Sequence, residues 1–447
     1  MVSSSMPLHF AGRELGPVSL ITGIPFLSPS GQQWVQARTG QHIAFDKLSP
    51  SRPPWEKKRA QSTNTFLDDL KNQNLFELPD RNLLELYFEK YHSSLMRRIF
   101  PALDPILFQE TMKSAYQEPY SNSFGQISNR ACIFAFLAFA SITNHPCFDR
   151  EDIELPPING EAYVLKVQHL MPQVLQETTT LDSLQAVTIL ALYELFNGNL
   201  QSASYYGSVS ASMIFMLGAN TFSFQPSAFR TSSEEIKYRV HRHLRNLFWL
   251  CYTIEKDICL RTGQPQLFTD ENCDLTLPPG YVEQLYTSME YHHLSRELPE
   301  SPLFPVDLRL SVVKARAYSA LYSFKALQKS DAELLKEIRE LDELLERWRM
   351  SVPLEWRPTL SFSHETPDPN VTLMAIFCNI LQNPSDPQAT KDLGLLKTAT
   401  SMMERVFLRQ SYSVTEIVHI KLVADFVTEL HRLASCAIEK AWNERSR

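Results

Sequence analysis

Two pairs of histidines are the residues whose type and spacing come nearest to a metal site in this sequence. His241 and His243 are two positions apart in a segment with helical periodicity, so their side chains point to roughly opposite faces. Three arginines around this pair would repel a cation; they are Arg239, Arg242 and Arg245. His292 and His293 lie in the stretch leading into a proline-rich loop, where a surface loop is the favoured interpretation. We therefore predict no metal site.

Signatures of catalysis are not found either. The sequence contains no phosphate-binding P-loop, no dinucleotide-binding glycine pattern, no His-Glu-x-x-His and no nucleophile-elbow serine. The 7 cysteines include no Cys-x-x-Cys pair, whereas disulfide frameworks and structural zinc sites use close pairs. We predict no catalytic residue, no metal ligand and no cofactor, and we expect a reducing compartment.

Composition favours a large helical protein. The chain has 447 residues, of which 44% are hydrophobic and only 13 are glycine, so a sizeable core built of helices is expected. Its formal net charge of −7 gives no overall electrostatic attraction to nucleic acid, because DNA binding draws on lysine and arginine. No signal-peptide pattern and no long apolar stretch occur, so no membrane association is expected.

Periodicity divides the chain into three predicted parts and indicates an all-α fold. Residues 1–75 read as an irregular N-terminal arm, 76–300 as a helical core, and 301–447 as a C-terminal helical part packed on that core. The clearest helix is predicted from about Ser233 to Thr262, because apolar residues recur every three or four positions and Gly263 follows. Its length indicates a central strut of the body.

A second helix, predicted after Ser330, has an unusual apolar pattern. Ser330 and Glu333 have the spacing of a capping box. Apolar residues then follow at alternating steps of four and three; they are Leu334, Ile338, Leu341, Leu345 and Trp348. This pattern could form a coiled-coil seam, but it covers only about two heptads, so packing inside the body is favoured.

The arginine and histidine segment of the long helix has two interpretations. We expect Arg239, His241, Arg242, His243 and Arg245 to form a solvated basic face. A docking surface for an acidic partner is the alternative. Direct reading of DNA is not expected, because the apolar stripe of the same helix fixes it in the body.

Two blocks of sequence resemble a known family. The first is a helix ending at Gly198-Asn199, followed by a helix that contains Tyr206 and ends at Leu217-Gly218. The second block follows the order Arg245-x-x-Phe248-Trp249, Glu255-Lys256, Arg261-x-Gly263-Gln264-Pro265 and Asp274-x-x-Leu277-Pro278. Together they resemble the fungal-specific transcription factor domain, the middle homology region of zinc binuclear-cluster regulators. In this chain Glu255-Lys256 replaces the family's Asp-Arg, and Gln264 replaces an arginine.

The resemblance implies a nuclear, all-helical regulatory body, with shuttling to the cytoplasm left open. The family's DNA-binding module has six cysteines around two zinc ions, and no such module is found in these residues. We therefore expect DNA contact only indirectly or through a missing module. The partners expected are proteins of the transcription machinery, with a small-molecule effector and a homodimer left open. The alternative function is a helical protein-interaction scaffold unrelated to transcription.

The motif residues are predicted to be architectural. Gly198, Gly218 and Gly263 lie at helix ends, where positive φ is common. A sub-hypothesis places an effector pocket between the helix pair at 181–217 and the long helix. It would be lined by Tyr193, Tyr206, Phe248 and Trp249, although ordinary core packing is the favoured role of aromatic residues at helical spacing.

Overall fold

The structure of the protein is a computed structural model that describes residues 5–10, 13–19, 27–42, 77–117, 125–143, 155–221, 232–291, 302–358, 373–409 and 414–445. Helices dominate this part of the chain, which confirms the predicted all-α class. The chain divides into two units. The larger is formed by Ser62–Leu260 and Pro265–Arg357, and the smaller by Met1–Gln61, Arg261–Gln264 and Pro358–Arg447.

The predicted N-terminal arm contains a short hairpin and one helix among its described residues. Strands β1 (Ser5–Phe10) and β2 (Arg13–Ser19) pair in antiparallel orientation, with a register shift between Leu8 and His9. Helix α1 (Pro29–Thr39) begins at a Ser28 cap, whose side chain accepts a hydrogen bond from the Gly31 amide, and ends at Gly40 with φ 70°. Most of the remaining arm lies outside the described residues.

The larger unit is a multi-helix body around one core. Its helices are α2 (Arg81–Ser93), α3 (Met96–Ile99), α4 (Pro105–Tyr116), α5 (Gln126–Thr143), α6 (Gly160–Val174), α7 (Leu181–Phe196), α8 (Leu200–Met216), α9 (Ser232–Thr262), α10 (Tyr281–Tyr291), α11 (Leu308–Ala317) and α12 (Asp331–Ser351). Helices α5 and α7 lie at the centre, because their side chains are apolar all round and buried on nearly every face. Helix α5 packs on α6 and α7, and α7 packs on α8.

Local sequence explains where these helices begin. Asp104 accepts hydrogen bonds from the amides of Ile106 and Leu107 at the start of α4. Ser330 and Glu333 form the predicted capping box at the start of α12. Helix α9 is the predicted strut, 31 residues long, and at 1.5 Å per residue it spans about 46 Å.

The smaller unit is a helical cluster that α1 completes. Its other helices are α13 (Leu373–Gln382), α14 (Pro387–Arg409) and α15 (Val414–Arg445). Val35 of α1 is buried in the same cluster as Phe377, Leu396 and Leu430. Within the described part of the chain, no helix combines the length and apolar character needed to cross a membrane.

Helix α12 buries only part of its apolar pattern. Leu341 is 6% exposed, whereas Ile338 and Leu345 are 40% and 41% exposed. The prediction that the whole pattern packs inside the body is therefore correct for Leu341 and wrong for Ile338 and Leu345. The reason is the rotation of the helix, which the indole of Trp348 fixes by donating to Asp307 Oδ2 at 2.9 Å.

Candidate functional site

The motif residues of the second block, from Arg245 to Pro278, lie between the middle of α9 and the loop that follows it. Arg245 is the central contact. Its guanidinium donates to the backbone carbonyls of Thr276 at 3.1 Å and of Asp274, and it also lies 3.5 Å from the carbonyls of Ala219 and Asn220. The side chain is only 12% exposed. Arg245 therefore joins the turn after α8 to the loop after α9.

Backbone pairing reinforces the same junction. The Asp274 amide donates to the Asn220 carbonyl at 2.8 Å, and the Asn220 side-chain amide donates to the Asn272 carbonyl at 2.6 Å. Asp274 Oδ1 accepts the Thr276 amide at 2.8 Å. Although partial burial acts to raise the pKa of Asp274, these Thr276 hydrogen bonds and the charge of Arg245 bring that pKa below its ordinary value. The carboxylate is therefore ionised beside Arg245.

An aromatic cluster lies beneath the Arg245 guanidinium. Arg245 is 4.4 Å from the centroid of the Phe248 ring and 5.3 Å from that of Trp249. Phe248, Trp249 and Tyr252 are fully buried on α9, and Phe268 of the following loop packs against Phe248 at 5.5 Å between ring centroids. The motif spacing of three and four residues on α9 thus places cation and rings on one face.

The pair Glu255-Lys256 holds the loop at a second point. Lys256 is completely buried, its amine lies 2.8 Å from Glu255 Oε2, and it donates to Gln266 Oε1 at 3.1 Å and to the Phe268 carbonyl. Glu255 Oε1 accepts the Leu267 amide at 2.8 Å. Both charges of the family's Asp-Arg pair are present, and together they bind the loop backbone at residues 266–268.

The motif glycines lie at helix ends in left-handed conformation. Gly198 follows α7 with φ 74°, Gly218 follows α8 with φ 67°, and Gly263 follows α9 with φ 67°. Pro265 is exposed, and the Pro278 carbonyl accepts the Tyr281 amide at the start of α10. Arg261 lies in the last turn of α9, and its side chain is outside the described residues.

The four aromatic residues of the predicted effector pocket have different surroundings. Phe248 and Trp249 are buried against each other, with ring centroids 5.3 Å apart. Tyr193 is buried on α7, and Tyr206 is half-buried on α8 beside Tyr205. The pocket stays a prediction. The sequence did not point to Tyr252, whose hydroxyl, like Trp249 Nε1, is buried and has no hydrogen-bond partner among the described residues.

The basic segment of α9 is mostly turned inward, so the expected solvated face is wrong for Arg239, His243 and Arg245. Arg239 forms an ion pair with Asp104 at 3.1 Å, and His243 is 2% exposed. Gln185 Nε2 lies 2.8 Å from His243 Nε2 and, as an amide, must donate, so that ring nitrogen accepts. Arg242 remains exposed.

Burial decides the protonation of His243. It lowers the pKa of the imidazole to about 4, since desolvation and the nearby Arg242 outweigh the opposing effects of Asp104 and the Ala102 carbonyl. His243 is therefore neutral at neutral pH and serves as a core hydrogen-bond acceptor. No group of three or more metal-ligating side chains occurs in the described ranges, and His292 and His293 lie outside them.

Comparison with known proteins identifies the family that shares these motif residues. A sequence model of the fungal specific transcription factor domain matches residues 84–350. An ABC-transporter-regulating transcription factor of Aspergillus fumigatus is 25% identical over 75% of the chain, and its namesake in Aspergillus oryzae is equally similar. The TY1 enhancer activator of Saccharomyces cerevisiae is 24% identical over 41% of the chain.

The chain spans about a third of the length of these Aspergillus relatives, 36% of each. No solved structure matches the chain at a significant level.

Proposed function

Since the chain belongs to the fungal specific transcription factor domain family, we propose that it is the regulatory body of a nuclear transcription regulator. The matched residues 84–350 run from α2 to α12, and they include the whole junction around Arg245. In this proposal the motif residues hold the body in shape, and regulation proceeds through protein partners, a bound effector or an attached DNA-binding module.

The observation that carries the proposal is the use of the motif residues. Arg245 donates to backbone carbonyls of the chain itself, and Lys256 donates to the Phe268 carbonyl and to Gln266 Oε1. Both side chains are largely buried. Neither is placed to act on a substrate. A regulator body fits this arrangement better than an enzyme, because its charged motif residues serve the fold.

The net charge of the chain also indicates that it does not contact DNA by itself. At −7 the chain has no overall attraction to DNA, and of its basic α9 segment only Arg242 is well exposed. We therefore propose that sequence-specific DNA contact comes from a module or partner joined to this body.

The test is DNA binding by the purified 447-residue chain over a salt series, with zinc content assayed on the same sample. We expect zinc-free protein that binds genomic fragments and shuffled fragments equally weakly. Sequence-specific, salt-sensitive binding by the zinc-free chain would overturn the proposal that specific DNA contact comes from an attached module or partner. An Arg242→Glu variant would then show whether the exposed part of α9 is the contact.

A small-molecule effector is the second candidate, and one specific feature favours it. Trp249 Nε1 and the Tyr252 hydroxyl are buried polar groups without a described partner, and such groups ordinarily bind protein or an enclosed molecule. An acceptor atom of a bound molecule would satisfy whichever of these two groups it reached. Native mass spectrometry of the chain from fungal cells should then detect a small molecule that Tyr252→Phe releases. Identical masses for the two proteins, after allowing for the substitution, would exclude this role of Tyr252.

A further inference from the structure

Helix α1 covers an apolar groove between α13 and α15 of the smaller unit, and it packs against both of these helices. Lys440 of α15 donates to the Ala37 carbonyl of α1 at 2.8 Å, a contact between residues 403 positions apart in the sequence. Val35 of α1 is 1% exposed, and Leu27, just before the helix, is buried in the same cluster. All of these residues lie outside 84–350, the part of the chain that the family model matches.

The buried face of α1 is narrow. Its buried positions are Gly31, Val35 and Thr39, which follow one another at steps of four and therefore lie along one side of the helix. Among the apolar side chains of α1, Val35 is buried, whereas Trp34 is only half-buried. Helix α15, by contrast, buries a row of apolar side chains, which includes Phe426, Val427, Leu430 and Leu433. Helix α1 is therefore the most weakly held helix of this cluster.

Local sequence defines both ends of α1. Ser28 caps its N-terminus, Pro29 stands in its first turn, and Gly40 ends it with φ 70°. Because these signals lie within the segment itself, the segment forms the same helix each time it docks. A helix of 11 residues is marginal by itself in water, so docking in the groove and helix formation are coupled.

The amine of Lys440 holds the C-terminal end of α1. The last carbonyls of a helix have no partner within the helix and carry its partial negative charge. The Lys440 ammonium meets one of them at Ala37, and a β-carbon placed on Gly40 would lie 3.9 Å from Lys440 Cδ. Since the lysine is half-buried, replacing it removes this contact without opening the apolar cluster.

Release of α1 would uncover the groove. Phe377 of α13 and Leu430 of α15 belong to the same buried cluster as Val35, and they would lose its cover. An apolar groove between helices binds an amphipathic helix whose anchoring residues follow steps of three or four. Helix α1 itself shows which helix fits, because it presents a glycine, a valine and a threonine at successive steps of four.

We propose that α1 is a releasable strap over a helix-binding groove formed by α13 and α15. While α1 is docked, the groove is closed. After its release, the groove binds an amphipathic helix of a protein partner that carries the α1 pattern, in competition with the strap. A tethered segment competes at an effective concentration on the order of millimolar, so a dilute partner binds only when the strap is weakened. The proposal does not depend on a role in transcription.

Hydrogen exchange of the full chain, followed by mass spectrometry, tests whether α1 opens by itself. We expect protection factors at residues 35–40 at least tenfold lower than at residues 427–437, because α1 opens while the cluster stays folded. Lys440→Met should lower protection of α1 about tenfold further and leave α15 unchanged, since a hydrogen bond from a charged donor is lost. Lys421→Met, at an exposed position of α15, is the matched control and should change neither. Equal protection of α1 and α15, or a Lys440→Met variant that affects both equally, overturns the strap.

A fluorescent peptide of residues 27–42 tests the groove. The full chain with Val35→Asp should bind this peptide, because its own strap is weakened and the groove is open. The wild-type chain and the control Gln33→Asp, altered at an exposed position of α1, should bind it at least tenfold more weakly. A peptide that itself carries Val35→Asp should not bind. Equal binding by all three chains, or binding by none, overturns the groove. Circular dichroism checks that Val35→Asp stays folded, and Lys440→Met takes its place if it does not.

Discussion

Replacement of Arg245 by alanine should unfold the junction between the turn after α8 and the loop after α9. The guanidinium donates to the carbonyls of Asp274 and Thr276, and each hydrogen bond from a charged donor contributes about 1.5–3 kcal/mol. Contact with the Phe248 and Trp249 rings adds about 0.5–1 kcal/mol. Because these contacts all come from one guanidinium and do not simply add, we expect Arg245→Ala to lower the free energy of unfolding by about 3–5 kcal/mol.

Two further variants isolate the cause. Arg245→Lys keeps the charge but has no planar fork to reach several carbonyls, so its loss should be intermediate. Arg242→Ala is the matched control, because Arg242 lies one turn earlier on α9 and is exposed; its effect should stay within about 0.5 kcal/mol. Urea unfolding followed by far-ultraviolet circular dichroism measures all three. Equal stability of the Arg245→Ala and Arg242→Ala proteins would refute the role given to Arg245.

Three other predictions concern the same body. The folded pKa of His243 lies near 4 and the unfolded pKa near 6.5, so the unfolded chain binds more protons between these values. Stability should therefore fall by about 3 kcal/mol as pH drops from 6.5 to 4, and urea titrations should show a shallower fall for His243→Leu; equal slopes would contradict the assignment. Lys256→Met leaves Glu255 buried without its partner and should lower the free energy of unfolding by about 3–5 kcal/mol. Lys237→Met, at an exposed position of the same helix, should have a negligible effect, and similar urea midpoints for the two variants would exclude the role given to Lys256. Gly218→Ala should cost about 1–2 kcal/mol because φ is 67°, whereas Gly207→Ala inside α8 should gain up to about 1 kcal/mol; thermal unfolding that shifts both the same way would argue against the left-handed turn.

Features that depend on neighbouring residues could be predicted from the sequence. The helical class follows from periodicity and scarce glycine, and the capping box at Ser330 and Glu333 follows from their spacing. The helix ends at Gly198, Gly218 and Gly263 were readable for the same reason, since a left-handed stop is a local event.

Features that depend on residues far apart in the sequence could not be predicted. The carbonyls that Arg245 contacts lie 25–31 residues away along the chain, and no pattern near Arg245 marks them. His243 looked like part of a basic surface because its neighbours are arginines. It is buried because Gln185, on α7, supplies a matching hydrogen bond.

The rotation of α12 could not be predicted either. Its sequence offers two adjacent stripes, one through Leu341 and one through Leu335 and Leu345. The choice between them is made by the hydrogen bond of Trp348 to Asp307, a residue 41 positions away. Which stripe is buried therefore follows only from the folded structure.

The most direct test of the regulatory role is transcription from a reporter in fungal cells. The chain is fused to an unrelated DNA-binding module whose sites lie upstream of the reporter. The account predicts that the fusion changes reporter transcription several-fold relative to the module alone, that Arg242→Ala keeps this effect, and that Arg245→Ala abolishes it. An intact, nuclear fusion whose reporter transcription equals that of the module alone would contradict the proposal that this chain is a regulatory body.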